Sequence, residues 1–289
     1  MNKVAVTGSC GFVGHWLVRG LKKKGYYVVG IDNLVAGDEK YSTESDEFIK
    51  EDVRNLLPES LAGVKYIFHL AALPRVPYSW EKPFLTNETN IEGTLRILEL
   101  AKKVGAKVVY SSSSSVYGLQ KDFLFHEEMV PHPMSPYAVQ KLAGEQYCEA
   151  YRMAGFVKTI SLRYFNIFGE EQPADNPYTG VLTRFLGLKK KGEPLTIYGD
   201  GEQTRDFTWV GDIVRANIMA AESKAEGVFN IGTGSRYSIN EVADMVGGGK
   251  RYLEPRVGEP KHTLAHIQRA QLFIGWEPTI NIKEWISTQ

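Results

Sequence analysis

Short apolar runs alternate with amphipathic stretches through the first ~165 residues of the chain. Lys3-Val4-Ala5-Val6-Thr7 is an apolar run closed by a glycine turn, the pattern of a strand buried on both faces. The pattern recurs at Tyr27-Val28-Val29-Gly30-Ile31, Phe48-Ile49, Tyr66–Ala72, Val108–Ser112 and Val157–Arg163. Helical spacing lies between these runs, with Trp16, Leu17 and Leu21 after the first, and Ile91, Leu95, Leu98 and Ala101 within Asn90–Val104. Ser135-Pro136 predicts another helix start, because Pro suits a first turn whose N–H would be unpaired anyway. Strand and helix in alternation predict an α/β fold built on a doubly wound parallel sheet.

After Tyr164-Phe165-Asn166 the pattern changes. Residues 171–180 are rich in Pro, Asp, Asn and Gly and read as a loop. Helical stretches near 180–190 and 210–222 flank Leu195-Thr196-Ile197-Tyr198, and Val228–Ile231 reads as one more sheet strand. Gly247-Gly248-Gly249 reads as a hinge or a shortened loop, and Ile274-Gly275-Trp276-Glu277-Pro278 closes a short helix. The expected division is a sheet domain over 1–169, with returning segments within 206–235. A smaller lobe over 170–205 and 236–289 would close on the carboxyl ends of the strands, where open α/β sheets bind ligands.

Composition narrows the functional classes. Lys+Arg and Asp+Glu are equal at 34 each, so nothing favours a nucleic acid or an anionic membrane as partner. Cys10 and Cys148, the two cysteines, lie far apart, which argues against a disulfide framework or a metal site and suits a reducing cytoplasm. No apolar run reaches the ~18 residues of a membrane span, and the start of the chain carries no signal-peptide pattern.

Two stretches carry candidate chemistry. Thr7-Gly8-Ser9-Cys10-Gly11-Phe12-Val13-Gly14 joins a strand to a helix, the context in which glycines let a backbone approach a pyrophosphate at a helix N-terminus. Asp32 ends the next strand 18 residues past Gly14, where a carboxylate can take both ribose hydroxyls and repel a 2′-phosphate. That favours NAD over NADP. Asp52 either meets the adenine or caps the following turn, and His69 reads as a satisfied core histidine.

The second stretch holds Ser111–Ser115, then Tyr137 and Lys141 four apart and so on one helix face. A Tyr hydroxyl, with an ordinary pKa of about 10, becomes a usable base if a nearby ammonium favours its phenolate. The expectation is that Lys141 draws the Tyr137 pKa down while a serine holds the substrate oxygen.

Taken together, these motifs resemble the extended short-chain dehydrogenase/reductase family, and within it the UDP-sugar 4-epimerases. Further landmarks are His69–Ala72, Asn90-Ile91-Glu92-Gly93-Thr94, Ser135-Pro136-Tyr137, Arg163–Gly169, Tyr198-Gly199-Asp200-Gly201, Arg205-Asp206-Phe207 and Arg256-Val257-Gly258-Glu259. The resemblance implies NAD held by Gly8, Gly11, Phe12, Val13, Gly14, Asp32, Asn33, Asp52, Val53, Leu70, Ala71, Ala72 and Asn90, together with Tyr137 and Lys141. It implies Ser113, Tyr137 and Lys141 as the catalytic set, with Lys141 on the nicotinamide ribose. It implies a UDP-sugar bound by Arg75, Ser113, Asn166, Tyr198, Arg205, Arg256 and Thr263, with no metal. Inversion at carbon 4 would run through a 4-keto sugar.

Within the resemblance, 4,6-dehydratases and UDP-glucuronate decarboxylases are rivals, but the acid they would carry beside the catalytic serine is missing from Ser112-Ser113-Ser114. A non-catalytic NAD-binding protein on the same fold is a remoter reading. The sugar is open between glucose/galactose and N-acetylglucosamine/N-acetylgalactosamine, with the small Thr263 and the stretch 71–79 favouring the N-acetyl pair. Cys10, His266 in place of a usual Asp, and the short Gly247–Gly249 region depart from the family pattern. Related enzymes pair two helices into a dimer, so Leu95, Leu98, Leu142 and Tyr147 are expected on a homodimer face.

Overall fold

The computed structural model describes residues 2–173, 180–255 and 260–289; Arg256, expected to bind diphosphate, lies outside them. Seven strands form one parallel sheet: β1 (Lys3–Thr7), β2 (Tyr27–Asp32), β3 (Glu47–Lys50), β4 (Val64–His69), β5 (Lys107–Ser113), β6 (Thr159–Tyr164) and β7 (Gly227–Ile231). Their order across the sheet is β7-β6-β5-β4-β1-β2-β3. The chain runs outward from β1 to β3, then returns to place β4 on the other side of β1. That reversal opens a crevice at the carboxyl ends of β1 and β4, the usual ligand site of such sheets.

Helices cover both faces, which is why the central strands read as unbroken apolar runs. Helices α1 (Phe12–Lys23) and α4 (Val210–Glu222) lie on one face, where Leu17, Leu21, Ile213 and Ala216 pack on Val4, Val6 and Phe68. Helices α2 (Gly93–Val104) and α3 (Pro136–Met153) lie on the other, over Ala5, Ile67 and Val108. Ser135 caps α3 by accepting the Ala138 N–H, and Pro136 opens its first turn, as expected. The helix expected over Asn90–Val104 begins differently: Glu88–Glu92 forms a π turn before α2. Such turns frequently mark functional sites, and Asn90 sits in this one.

A second apolar cluster joins helices Val181–Lys190, Ile239–Val246 and Ile282–Ser287 through Phe185, Ile197, Phe207, Val242 and Trp285. Leu195–Tyr198 pairs in parallel with Lys250–Leu253, a partnership the sequence pattern did not reveal. Glu170 fastens the two clusters. Its carboxylate accepts the indole N–H groups of Trp209 (3.1 Å) and Trp285 (2.7 Å), and its carbonyl accepts that of Trp16 on α1 (3.3 Å). Trp276, fully buried, reaches back from near the end of the chain to the sheet cluster and donates to the Asp212 carbonyl at 2.9 Å.

The expected dimer face is corrected at Leu98, which is fully buried among the residues packed on the sheet. Leu98 and Ala101 of that helix serve the core, while Leu95 is only half-buried. Exposed apolar side chains gather nearby instead, with Trp80, Phe84 and Val139 lining a shallow groove of about 680 Å³ and Tyr147 further along α3. No helix among the described residues is long and apolar enough to cross a membrane.

Candidate active site

The glycine turn between β1 and α1 is drawn tight. Gly8 has φ +71° and its N–H donates to the Ile31 carbonyl at 2.8 Å. A Cβ on Gly14 would stand 1.9 Å from the Gly8 carbonyl oxygen, so only glycine fits there. Gly11 precedes α1, no side chain caps that helix, and its first turn carries no acidic residue. The N–H groups of Phe12, Val13 and Gly14 therefore point, unpaired within the helix, to where an anion would lie. His15 stacks on Tyr41 with ring centroids 3.7 Å apart, tying α1 to the turn beyond Asp32.

The Asp32 carboxylate accepts the Cys10 N–H at 3.0 Å and the Leu34 N–H at 2.8 Å, which orients it at the end of β2. Asn33 donates to Asp52 at 3.0 Å, and Val53 is buried beside it. Asp52 caps the following turn: it accepts the Arg54 N–H and pairs with the Arg54 guanidinium at 2.8 Å. Hydrogen bonding from Arg54 holds its carboxyl down at about 2.

Leu70, Ala71 and Ala72 follow β4 directly, and the Leu70 N–H donates to the Thr7 carbonyl at 3.2 Å. Asn90 spends its side-chain amide on this loop: it accepts the Leu73 N–H at 2.7 Å and donates to the Leu73 carbonyl and to Gln140. It therefore shapes the loop from beneath. His69 is buried between the Thr7 and Thr94 hydroxyls at 2.8 and 3.0 Å, and burial pushes its pKa down to about 3, as befits a core residue.

The catalytic candidates converge at the end of β5. The Tyr137 phenol lies beside the Ser113 hydroxyl, which lowers its pKa. The Tyr137 N–H donates to Ser79 at 3.0 Å, which seats the first turn of α3 against Val76–Glu81. Lys141, 3% exposed, donates to the Ser111 carbonyl at 2.6 Å.

The expected electrostatics need correction. Burial pushes Tyr137 up to about 12, and the influences that lower it are the Ser113 hydroxyl and the positive charge of Arg75. Lys141 is turned to the strand carbonyl, and burial lowers its own pKa to about 8, opposed by the charge of Glu145. Arg75 holds a left-handed backbone, φ +105°, which a non-glycine residue adopts at a cost.

The remaining candidates lie on the second cluster's side. Asn166 donates to the Asp206 carbonyl at 3.0 Å, beside Arg205, which donates to the carbonyls of Thr204 and Lys261. Tyr198 lies under the Arg184 guanidinium. Thr263 is 4% exposed, and its hydroxyl has no partner among the described residues.

Sequence reading named Asp206 within a landmark but gave it no role. Its buried carboxylate accepts N–H groups of Thr233, Gly234 and Ala265 at 2.7–3.1 Å, and burial pushes its pKa up to about 6. It anchors the segment carrying Arg205. Sequence reading passed over Glu145, although its place four residues past Lys141 was a usable signal.

A strand–glycine turn–helix opening a seven-stranded parallel sheet, with Ser, Tyr and Lys gathered at a strand end, defines a dinucleotide-dependent enzyme class. The chain belongs to the NAD dependent epimerase/dehydratase family, whose model matches residues 4–232. NAD is its cofactor, and the uncapped helix start and the close-packed Gly8–Gly14 turn fit the pyrophosphate.

The UDP-N-acetylglucosamine 4-epimerase from Methanobrevibacter ruminantium M1, solved in complex with UDP-N-acetylmuramic acid, is 36% identical. It superposes with a TM-score of 0.94 over 99% of this chain and 96% of that one. The UDP-glucose 4-epimerase of Mycolicibacterium smegmatis is 34% identical, covering 99% of this chain and 96% of its own. The UDP-N-acetyl-alpha-D-glucosaminuronate decarboxylase of Bacillus cytotoxicus is 38% identical over 85% of this chain and 79% of its own.

Proposed function

We propose that this protein is a UDP-hexose 4-epimerase, interconverting UDP-glucose and UDP-galactose, UDP-N-acetylglucosamine and UDP-N-acetylgalactosamine, or both pairs. The observation that carries this is the convergence of Ser113 and Tyr137 at the end of β5, in a serine run without an acidic residue. Tyr137 takes the proton of the sugar's oxygen 4 and later returns it. Ser113 holds that oxygen in line. NAD supplies reversible hydride acceptance at carbon 4. Lys141, fixed on the Ser111 carbonyl, stands beside Tyr137 where the nicotinamide ribose would lie.

Arg205, with Asn166 and Arg256, holds the diphosphate, for which a guanidinium fork is well shaped. Thr263 borders the substituent at carbon 2, where a small side chain leaves room for an N-acetyl group. Residues 1–169, with segments of 206–235, form the NAD-binding domain, and 170–205 with 236–289 form the sugar-nucleotide lobe. The protein acts in the cytoplasm as a homodimer.

The similarity to a decarboxylase supports a second reading, loss of a carboxylate from a UDP-uronate. Incubation with a panel of UDP-sugars and UDP-uronates, with chromatographic separation of the products, tests both. A carbon-4 epimer at equilibrium is the expected product. Release of carbon dioxide from a uronate, with no epimer formed from any hexose, would replace the reading.

A further inference from the structure

We infer that Glu145 is a positioning residue of the reaction, acting through Ser112 to hold the end of β5 in register with α3. Side chains of a strand alternate between faces. Ser111 and Ser113 serve the catalytic side through a carbonyl and a hydroxyl, and Ser112 between them points the other way, 2% exposed. Its hydroxyl donates to the carboxylate of Glu145. Glu145 lies one turn beyond Lys141 on α3 and is itself 3% exposed.

The other partner of Glu145 is Arg163 on β6, which donates from Nε at 2.9 Å and from Nη2 at 2.7 Å. Arg163 is the register partner of Ser112 across β5 and β6. One carboxylate therefore ties two neighbouring strands to the helix that carries Tyr137 and Lys141. A buried ion pair contributes little net stability after desolvation, so stability is a weak reason for the pair. Its position gives a better one: it lies beneath the tripeptide that holds Lys141 at one end and Tyr137 at the other. Acid–base catalysis is sensitive to misplacement of about 1 Å, and this latch fixes the Ser113–Tyr137 distance from below. The Glu145 charge also opposes the loss of a proton from Lys141.

The inference rests on the proposed roles of Ser113, Tyr137 and Lys141, and the experiment separates the two. Ser112→Ala removes the latch and leaves the Glu145–Arg163 pair intact; Ser112→Thr keeps the hydroxyl. Steady-state rates on UDP-galactose, or on the UDP-sugar the panel identifies, are measured against pH for both variants, the wild type and Tyr137→Phe. Retained NAD and thermal midpoint are recorded for each.

The expected result for Ser112→Ala is a kcat about 10- to 100-fold lower, with KM within about twofold, NAD retained and the pH midpoint of kcat displaced. Ser112→Thr should recover most of the rate. Wild-type kcat and pH profile in Ser112→Ala, a loss confined to KM or to NAD content, or failure of Ser112→Thr to recover would each overturn the inference. An active Tyr137→Phe would instead overturn the reading of the site.

Discussion

Lys141 and Tyr137 share a face of α3, yet the Lys141 ammonium is committed to the Ser111 carbonyl at 2.6 Å and stands 6.0 Å from the centre of the Tyr137 ring. The phenol lies beside the Ser113 hydroxyl instead. Hydroxyl and ammonium thus sit at two consecutive odd positions of one strand, and the helix supplies both side chains.

Tyr137→Phe keeps the ring and removes the proton carrier. Turnover should fall by about 10²–10⁴, with retained NAD and thermal midpoint close to wild type. Near-normal turnover would remove Tyr137 from the mechanism.

An enzyme that restores its cofactor in each cycle gains nothing by releasing it. The purified protein should carry NAD, detected in the supernatant after denaturation. Added NADP should leave the rate unchanged, because the Asp32 carboxylate repels a 2′-phosphate. An empty protein stimulated by NADP would refute this assignment of Asp32.

His69 gives the fold a pH dependence. Burial holds its folded pKa at about 3, whereas in the unfolded chain it takes a proton near 6.5. Between these values the unfolded chain binds the extra proton, so stability falls as pH drops from about 6.5 towards 3, at up to roughly 1.4 kcal/mol per pH unit. Denaturant unfolding across pH 4–6 should show a slope about one proton shallower in His69→Asn than in wild type. Parallel slopes would contradict it.

Thr263→Tyr places a ring beside the proposed carbon-2 site. The expected outcome is loss of activity on UDP-N-acetylgalactosamine with activity on UDP-galactose spared. Thr263 is 4% exposed, so the thermal midpoint must be measured alongside. Equal effects on the two sugars would remove Thr263 from substrate choice.

Light scattering should give twice the chain's 32.4 kDa. Phe84→Glu and Val139→Glu, in the exposed groove beside α3, should shift the protein towards the monomer. A monomer at all accessible concentrations would exclude the dimer.

Strands β1, β2, β4 and β5 were legible because burial on both faces leaves an unbroken apolar run, and β5 runs on into the polar Ser113, which faces the site. The glycine turn was legible because spacing and context agree. The pairing of Leu195–Tyr198 with Lys250–Leu253 was not, since its partners lie far apart in sequence and each run is short. Helix Ile239–Val246 carried a signal that went unread, the capping box of Ser238 and Glu241. Spacing placed Tyr137 and Lys141 on one face, but the choice between a phenol and a strand carbonyl as the lysine's acceptor depends on tertiary packing.

The burial of Trp276 bears on how the chain is made. This indole completes the cluster beneath α1 and α4, and it comes after every strand of the seven-stranded sheet in the chain. Strand β7, which finishes the sheet, is itself synthesised long after its neighbour β6. The nascent chain therefore carries an unsealed apolar surface on the α1 side until the segment around Trp276 has been made.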